Sequence, residues 1–483
     1  MQATSLAFKD NARRAIGDAH LQQALGFAKA GFQSRRAAAA ERLPEFEPLR
    51  DRAKQIKDHV LGHLDAYLEA FERRATEQGA VIHFARDAAE ARKTVVELCQ
   101  AADARLVTKS KSMVAEEIGL NEALEVAGIE RVETDLGEYI VQLAGQVPSH
   151  ILAPAVHMTK EQVADLFASH HHRPRLTEPE ALVHEARAVL RKRYFEADVG
   201  ITGANFLIAE SGSVVIVTNE GNAELTHGLP KTQIVVTSIE KVVPTFADAC
   251  TLLRVLARSA TGQEFSAYTT VLTGPKRAAD LDGPETLHIV LVDNGRSAML
   301  GTRFQEMLRC IRCGACMNHC PVYLSTGGHA YGWVYPGPMG AVLTPGFIGI
   351  EQGHHLPNAS TFCGRCEEVC PVRIPLPKLM RFWREEQFQR NLMPPTARYG
   401  LGVWAYAARR PRLYRLGARV AIRLLALVGR RRGRFARLPL AGGWTGSRDL
   451  PAPAGRTFIE LWQTHARAQV AQRAVAPGKG LGR

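Results

Sequence analysis

The stretch Cys310-Ile-Arg-Cys313-Gly-Ala-Cys316-Met-Asn-His-Cys320-Pro321 decides how this 483-residue chain is organised. Its cysteines and its proline follow the spacing C-x2-C-x2-C-x3-C-P, which is a ligand pattern for iron–sulfur clusters. Cysteines three residues apart in a tight turn place their thiolates around three corners of one cluster. The fourth cysteine stands directly before the proline, points away from that cluster and serves a neighbouring one.

A second run, Cys363-Gly-Arg-Cys366-Glu-Glu-Val-Cys370-Pro371, repeats the pattern without its first cysteine. Ligation that crosses between the runs predicts two ligand sets, cluster 1 on Cys310, Cys313, Cys316 and Cys370 and cluster 2 on Cys320, Cys363 and Cys366. When the runs are aligned on their Cys-Pro pairs, Ser360 stands at the position of Cys310. The sequence therefore predicts that cluster 2 is either 3Fe–4S or 4Fe–4S with a non-cysteine fourth ligand.

Zinc is the main alternative for these cysteines, because paired C-x2-C units also bind Zn²⁺. A zinc site leaves the third cysteine and the two Cys-Pro pairs unexplained. Disulfides are disfavoured, since seven of the nine cysteines fall in the two runs and the total is odd. The other two, Cys99 and Cys250, lie in apolar helical contexts and are expected to be core residues.

Length and composition indicate a soluble protein of two or three domains. The hydrophobic fraction is 46% and the charged fraction 23%, both ordinary for a globular chain. The N-terminal residues lack the apolar run of a secretory signal, and no stretch of about 18 apolar residues could span a membrane. Thiol-bound clusters without such a signal predict a cytoplasmic location.

The formal charge of +13 is concentrated at the C-terminal end of the chain. Residues 371–483 contain 23 Lys and Arg but only four Asp and Glu, and eleven of the arginines lie between Arg409 and Arg437 among leucines and valines. Such a segment suits an acidic partner subunit or the anionic inner face of a membrane, which it would contact peripherally. Nucleic acid ranks last because no nucleic-acid-binding fold accompanies the segment. A solvated helix face with arginine stems on the core is the alternative.

The patterning divides the chain into four parts. Residues 1–78 are expected to form helices, because apolar residues from Ile56 to Phe71 recur every three or four positions. Residues 79–300 alternate strands with helices, which predicts an α/β domain around a parallel or mixed sheet. Residues 301–392 are expected to form an α-helical ferredoxin-type domain with two clusters, and residues 393–483 are the basic C-terminal region.

Specific elements follow from the same patterns. Strands are predicted near residues 105–108, 206–209, 214–218, 233–237 and 287–292, and helices near 88–102, 116–127, 246–259, 296–309 and 378–390. Four loops rich in glycine and small polar residues are candidates for anion binding through backbone amides, with ordinary turns as the alternative: 109–112, 200–203, 210–213 and 218–222. The segment Gly332–Gly340 is expected to cover a cluster.

With these motifs in view, the chain resembles the lactate utilization protein B family, iron–sulfur subunits of a bacterial L-lactate-oxidising complex. The resemblance covers nearly the whole length. It is carried by both cysteine runs and by Gly203-Ala-Asn-Phe206, Ala209-Glu-Ser-Gly212, Val217-Thr-Asn-Glu-Gly-Asn222, Pro371-Val-Arg-Ile-Pro375 and Trp444-Thr-Gly-Ser-Arg-Asp-Leu-Pro451. It implies that residues 79–300 form a domain shared among lactate-utilization subunits, similar to sugar-phosphate isomerase and CoA-transferase folds. It also implies that both clusters are 4Fe–4S.

The resemblance implies an electron relay that acts with other lactate-utilization subunits. Oxidation of L-lactate to pyruvate releases two electrons, and a cluster carries one at a time. Arg309, Arg312 and Arg365 stand where positive charge would favour the reduced clusters. No acid–base pair, catalytic triad or flavin fingerprint stands out, so no catalytic residue is assigned. The alternatives are another donor such as glycolate, or an enzyme acting on a small acid or CoA-type ligand with structural clusters.

Overall fold

The computed structural model describes residues 3–439 and 441–475. Residues up to Leu392 form one compact unit, and residues from Met393 form a second. The first unit opens with four helices, α1 (Phe8–Gly17), α2 (Ala19–Glu41), α3 (Phe46–Gly62) and α4 (Leu64–Glu77). The buried face of α3 includes Ala53, Ile56 and Val60, so the helical periodicity in the sequence is that of a packed helix.

A six-stranded sheet forms the centre of the α/β domain. The strands are β1 (Val81–Ala85), β2 (Leu106–Lys109), β3 (Glu130–Glu133), β4 (Val199–Thr202), β7 (Thr232–Ser238) and β10 (Thr286–Val292). Their order is β1-β10-β7-β4-β2-β3, and every neighbouring pair is parallel. The central strands β4 and β7 are almost entirely buried, as a parallel sheet covered by helices requires.

A smaller mixed sheet and eight helices complete the α/β domain. The strands of this sheet are β5 (Phe206–Ile208), β6 (Ser213–Thr218), β8 (Val242–Val243) and β9 (Tyr268–Leu272), in the order β8-β5-β6-β9. The helices are α5 (Ala88–Ala101), α6 (Met113–Ile118), α7 (Leu120–Val126), α8 (Leu136–Leu143), α9 (Lys160–His171), α10 (Pro179–Glu196), α11 (Asn222–Gly228) and α12 (Phe246–Ala260). Cys99 is buried in α5 as expected, whereas Cys250 is only half-buried in α12. The prediction of an α/β domain with a mostly parallel sheet is confirmed.

Three local predictions were wrong. Residues 200–203 were expected to be a loop, but Gly200 lies in β4, where a Cβ would stand 1.8 Å from the carbonyl oxygen of Thr226. The helix expected over 116–127 breaks into α6 and α7 at Gly119, whose φ is 69°. The helix expected over 296–309 is replaced by two short 3-10 turns, because Arg296 turns inward to ion pairs and Gly301 has a φ of 70°.

The cysteine runs lie in a module of short helices that completes the first unit. They are α13 (Ala315–Asn318), α14 (Tyr323–Thr326), α15 (Gly337–Phe347), α16 (Ile350–Gly353), α17 (Arg365–Glu368) and α18 (Leu376–Gln389). Helix α15 is buried along most of its length and packs on α13 and α18. The module shares one hydrophobic core with α3 and α12, so it is continuous with the rest of the first unit.

The second unit is mainly helical. It contains α19 (Pro395–Ala408), α20 (Pro411–Gly429), α21 (Gly442–Thr445), α22 (Phe458–Val475) and an antiparallel ribbon of β11 (Arg434–Phe435) and β12 (Leu450–Pro451). Across residues 3–439 and 441–475, every helix is too short or too polar to cross a membrane.

Candidate iron–sulfur centre

The two cysteine runs form the same backbone loop twice, 50 positions apart in the numbering. Two residues of the first loop have positive φ, Arg312 at 57° and Gly314 at 72°. Their counterparts in the second loop match them, with Phe362 at 55° and Gly364 at 81°. A non-glycine residue rarely adopts such an angle, so its presence at both Arg312 and Phe362 marks a shared and demanding turn.

The hydrogen bonds after each loop repeat in the same way. The amide of Met317 donates to the carbonyl oxygen of Gly314 at 3.0 Å, and the amide of Glu367 donates to that of Gly364 at 3.0 Å. These bonds belong to the single helical turns α13 and α17, each of which ends shortly before a Cys-Pro pair. The tight turn that the cysteine spacing predicts is therefore present in both runs.

The four cysteines predicted for cluster 1 line one cavity. Three come from the first run, and Cys370 reaches the cavity from the end of the second run. The amide of Ile374 donates to Sγ of Cys370 at 3.4 Å. Four sulfur ligands in an apolar pocket with an amide donor form a donor set that suits an iron–sulfur cluster. The other walls are mostly apolar side chains, from Met307, Ile311, Met339, Val372, Ile374 and Leu376.

Burial keeps most of these thiols protonated until metal binds. It raises the pKa of Cys313 and of Cys316, and it raises the pKa of Cys370 to about 11. Since a thiol must lose its proton to become a metal ligand, binding of a cluster by these thiols would release protons.

The three cysteines predicted for cluster 2 are also neighbours. Burial, followed by the charges of Cys320 and Cys363, raises the pKa of Cys366 to about 12. Cys363 differs because it is exposed, and a hydrogen bond from the backbone of Arg365 lowers its pKa. Ser360 is half-buried, and its Oγ accepts a hydrogen bond from the amide of Phe362 at 3.1 Å. The second set thus has one edge open to solvent.

The charges expected beside the clusters have different partners. Although burial opposes it, the charge of Cys310 raises the pKa of Arg312, which therefore lies close to that thiol. Arg309 is buried and pairs with Asp58, and Arg365 pairs with Glu368 at the surface. Arg312 is therefore an expected charge that lies beside a predicted ligand of cluster 1.

Sequence reasoning missed two basic residues on α3. Arg50 is buried and donates from Nη2 to the carbonyl oxygen of Cys370 at 2.8 Å. Lys57 is fully buried, donates to the carbonyl oxygen of Glu240 and has its pKa lowered by burial to about 8. Their signal was present in the sequence, because Arg50 and Lys57 share the helical face of Ala53 and Val60, where a soluble helix normally carries apolar residues.

A buried ion-pair network joins the α/β domain to the cysteine module. Arg296 lies between two carboxylates. Its Nη2 is 2.7 Å from Oε2 of Glu117, and its Nε is 2.8 Å from Oε2 of Glu240. The hydroxyl of Tyr335 donates to Glu117 at 2.6 Å, and Nη2 of Arg312 lies 3.3 Å from Glu240. Tyr335 belongs to the segment expected to cover a cluster, and this contact anchors that segment to the sheet domain.

A pocket lies against the cluster 1 loop on the side of the α/β domain. Its walls include Arg312 and Cys313 together with residues from two of the loops that the sequence marked as anion-binding candidates, 109–112 and 218–222. Gly203 also lines it, whereas residues 210–213 do not appear in its walls. The structure therefore brings several small-residue loops to one place beside a predicted cluster ligand.

The pocket contains four charged groups besides Arg312. Lys111 donates to Asp135 at 2.6 Å, and Lys241 donates to the carbonyl oxygen of Ala204 at 2.5 Å. Burial lowers the pKa of Lys241 to about 8, while burial and then the charge of Asp135 raise the pKa of Glu220. Perturbed ionisable groups in a cleft are typical of ligand or catalytic sites.

Family models match three consecutive parts of the chain. The LUD domain matches residues 68–292, the 4Fe-4S dicluster domain residues 306–374, and the lactate utilisation protein B C-terminal family residues 389–467. The dicluster match assigns iron–sulfur clusters, rather than zinc, to the cysteine module. In the described part of the chain, no three His, Cys, Asp or Glu side chains converge as ligands of a single metal ion would.

Curated relatives match over almost the full length. Lactate utilization protein B of Bacillus subtilis is 44% identical over 465 residues, which cover 94% of this chain and 95% of the relative. The protein of the same name from Bacillus velezensis is 43% identical over 471 residues, with 96% and 98% covered. An uncharacterized electron transport protein of Escherichia coli is 41% identical over 468 residues, again with 96% and 98% covered.

A solved structure of a DUF162 family protein from Deinococcus radiodurans is 15% identical and covers 47% of this chain and 98% of its own. Its TM-score of 0.28 is too low for that likeness to bear on the fold. The curated relatives are decisive, because their matches run through the α/β domain, the cysteine module and the C-terminal region together. The chain belongs to the lactate utilization protein B family.

Proposed function

We propose that this protein is the iron–sulfur electron-transfer subunit of a complex that oxidises L-lactate to pyruvate. One observation carries the proposal: cysteines from both runs line a single apolar cavity. Cys370 of the second run lies there with the first three cysteines of the first run. A site of this kind binds a cluster that gains and loses one electron at a time. The names of the relatives supply lactate as the donor and imply other lactate-utilization subunits as partners.

Ligation that crosses between the runs is part of this proposal. Cluster 1 is assigned to Cys310, Cys313, Cys316 and Cys370, and cluster 2 to Cys320, Cys363 and Cys366. The shared cavity supports the first set, and the mutual effects of the other three thiols on their pKa values support the second. The charge of Cys366 also adds to the burial that raises the pKa of Cys316, so the two sets adjoin.

The surrounding residues hold positive charge close to cluster 1 and exclude water from it. Arg312 lies near Cys310, and Arg50 donates to the carbonyl oxygen of Cys370. Positive charge beside the sulfurs stabilises the more negative, reduced state. Apolar walls such as Met339 keep solvent from screening that charge. The chain's contribution is therefore ligation, shielding and adjustment of reduction potential.

Reversible redox cycling is the experiment that tests the relay. The purified protein is titrated with a graded series of reductants, and the cluster signals are followed by electron paramagnetic resonance. Both clusters are expected to be reduced and reoxidised reversibly when oxygen is excluded. Clusters that cannot be cycled would contradict the relay and leave a structural role. Growth of a deletion strain on lactate, compared with glycolate, identifies the donor.

A second candidate function is supported by the pocket beside Cys313. There the α/β domain would bind a small organic acid, with Lys111 and Lys241 facing its carboxylate and with Asp135 and Glu220 facing its hydroxyl. Burial, and then the charge of Asp135, raise the pKa of Glu220, and a carboxyl with a raised pKa is a candidate for proton transfer to or from a bound acid. The pocket thus favours a substrate-binding role within this subunit rather than on a partner alone.

Ligand binding distinguishes this second function from the relay. L-Lactate, pyruvate and inorganic phosphate are titrated separately into the intact protein by calorimetry. The second function requires binding of the organic acids and about tenfold weaker binding to Lys111→Met, because a charge-assisted hydrogen bond is lost. Lys276 does not line the pocket, so Lys276→Met is the matched control. Failure of all three ligands to bind would end the second function without affecting the relay.

The basic second unit is proposed to contact an anionic membrane surface. On α20, four arginines each directly precede an exposed apolar residue, so the helix has a cationic face next to an apolar face. A helix of this kind is typical of peripheral binding to anionic lipid. An acidic partner subunit is the other occupant that such a surface would accept. The exposed apolar side chains are Leu413, Leu416, Val420, Leu424 and Leu427, and the arginines are Arg412, Arg415, Arg419 and Arg423.

A further inference from the structure

We infer that Ser360 is the fourth ligand of cluster 2, through its hydroxyl oxygen, alongside Cys320, Cys363 and Cys366. This ligand set rests on the proposed assignment of cluster 2 to those three cysteines. A fourth ligand makes the cluster 4Fe–4S rather than 3Fe–4S, the two forms expected from the sequence.

The backbone repeat places Ser360 where the first run has a ligand. The positive φ of residue 312 recurs at residue 362, and that of residue 314 recurs at residue 364. The same shift of 50 positions makes Ser360 the counterpart of Cys310, and both residues are half-buried. Since Cys310 lines the cavity of cluster 1, the equivalent atom of Ser360 is set to face cluster 2.

The chemistry of the position is compatible with an oxygen ligand. The amide of Phe362 donates to Oγ of Ser360 at 3.1 Å, so the backbone of its own loop holds this oxygen in one position. On binding, an iron–oxygen bond forms, the hydroxyl proton leaves to solvent, and no electron is transferred. Cys363 beside it is exposed, so the proton has a path to water. An oxygen is a poorer match than a thiolate for an iron–sulfur cluster, which makes this corner the weakest.

The side chain of Thr361 hydrogen-bonds the thiol of Cys363, so its hydroxyl is already used on a proposed ligand. Tyr331 is the other competing hydroxyl. It is fully buried, and its oxygen has no hydrogen-bond partner within the described residues. Burial raises its pKa, and the charges that add to this effect include those of Cys320, Cys316 and Cys366. Cys316 belongs to the other ligand set, so Tyr331 lies where the two sets adjoin rather than at the open edge beside Cys363. That position suits a hydrogen bond to sulfur rather than the missing ligand.

Two substitutions at Ser360 give opposite expected results. Ser360→Ala removes the ligand, and cluster 2 is expected to be recovered as 3Fe–4S, visible by electron paramagnetic resonance in the protein as isolated. Ser360→Cys supplies a thiolate and is expected to slow iron release from cluster 2 during mild oxidation by at least severalfold. Iron and sulfide analysis of each variant provides the second readout.

Matched variants separate this ligand from the alternatives. Cys310→Ser gives the first loop the ligand set of the second, and it is expected to make cluster 1 as labile as cluster 2 is in the wild type. Tyr331→Phe is expected to retain all iron. Wild-type iron content and signals in Ser360→Ala would overturn the inference, as would conversion to 3Fe–4S by Tyr331→Phe. Loss of cluster 1 rather than cluster 2 in Cys363→Ala would instead overturn the assignment of the ligand sets.

Discussion

Arg296 and Glu117 are joined by two hydrogen bonds, of 2.8 and 2.7 Å, and neither side chain is exposed to solvent. Glu117 lies in α6, which follows the second strand of the α/β domain, and Arg296 lies on the segment that leads from the last strand to the cysteine module. The guanidinium also lies 4.6 Å from the ring centre of Phe347 in α15. The pair therefore holds the cysteine module and the sheet domain in one arrangement.

Replacement of Arg296 by methionine should destabilise the first unit severely. The change leaves Glu117 buried with only neutral partners, and breaking such a pair costs about 3–5 kcal/mol. The measurement is the unfolding free energy from urea titration. Arg303 is the matched control, because its pairs with Glu385 and Glu386 lie near the surface, where Arg303→Met should cost less than about 1 kcal/mol. Equal losses in both variants would contradict the importance of the buried pair.

Ligation across the runs predicts which cluster each cysteine supports. Cys370→Ser should damage cluster 1, because Cys370 lines the cavity of Cys310, and it should leave cluster 2 largely intact. Electron paramagnetic resonance of the reduced variant is the measurement. Cys320→Ser is the reciprocal variant and should damage cluster 2. Loss of the cluster 2 signal in Cys370→Ser would reverse the assignment.

His150 should make stability depend on pH. Its Nδ1 accepts hydrogen bonds from the amides of Leu152 and Ala153, and burial lowers its pKa to about 4. An unfolded histidine has a pKa of about 6.5, so between these values the unfolded chain binds the extra proton. The contribution of His150 to the free energy of unfolding is therefore fully present above about pH 6.5. It decreases as the pH falls toward 4, by at most about 1.4 kcal/mol per pH unit.

Unfolding titrations across that range measure the slope. His150→Gln should lower the pH dependence even if it also lowers stability at neutral pH. His20→Gln, at an exposed histidine, is the matched control for loss of one imidazole, and its slope is compared with that of His150→Gln. An unaltered slope in His150→Gln would show that the acid sensitivity arises elsewhere.

The basic second unit should bind anionic vesicles in a salt-dependent manner. Arg430, Arg431 and Arg432 are exposed at the end of α20, and each basic group near an anionic surface is worth about 1 kcal/mol. Their combined replacement by glutamine should weaken vesicle binding by roughly two orders of magnitude at low salt without loss of iron. Arg434→Gln should matter less, because Arg434 already pairs with Asp449 at 2.9 Å. Absence of binding by the wild type would contradict the membrane proposal.

The sequence predicted those strands and helices that depend on the pattern of residues adjacent along the chain. Strand β7 and helix α12 were expected within about one residue of their observed bounds, because long apolar runs and helical spacing are local signals. Gly200 misled the prediction, since glycine usually marks a turn, whereas here it admits the backbone of Thr226 against a buried strand. That approach depends on a residue 26 positions away, so no local window contains it.

The cysteines could be proposed as ligands from the sequence because their spacing is typical of iron–sulfur ligation. The groups around them were not, because they come from distant segments. Arg50 reaches the carbonyl of Cys370 across 320 positions, and Arg296 was placed in a helix because its buried partners, Glu117 and Glu240, could not be seen. Charged residues on an apolar helix face are the one sequence signal that could have indicated such contacts.

Close packing of α15, which contributes Met339 to the cavity proposed for cluster 1, would affect the speed of electron exchange. Gly340 in α15 has room for no side chain, since a Cβ there would lie 1.7 Å from the carbonyl oxygen of Tyr335. Such interiors are as dense as organic crystals and rearrange little when a charge within them changes. Water, by contrast, must reorient around every new charge. For a cluster held as proposed, walls that hardly move would keep the reorganisation energy of each transfer small, so an electron would cross a given distance faster.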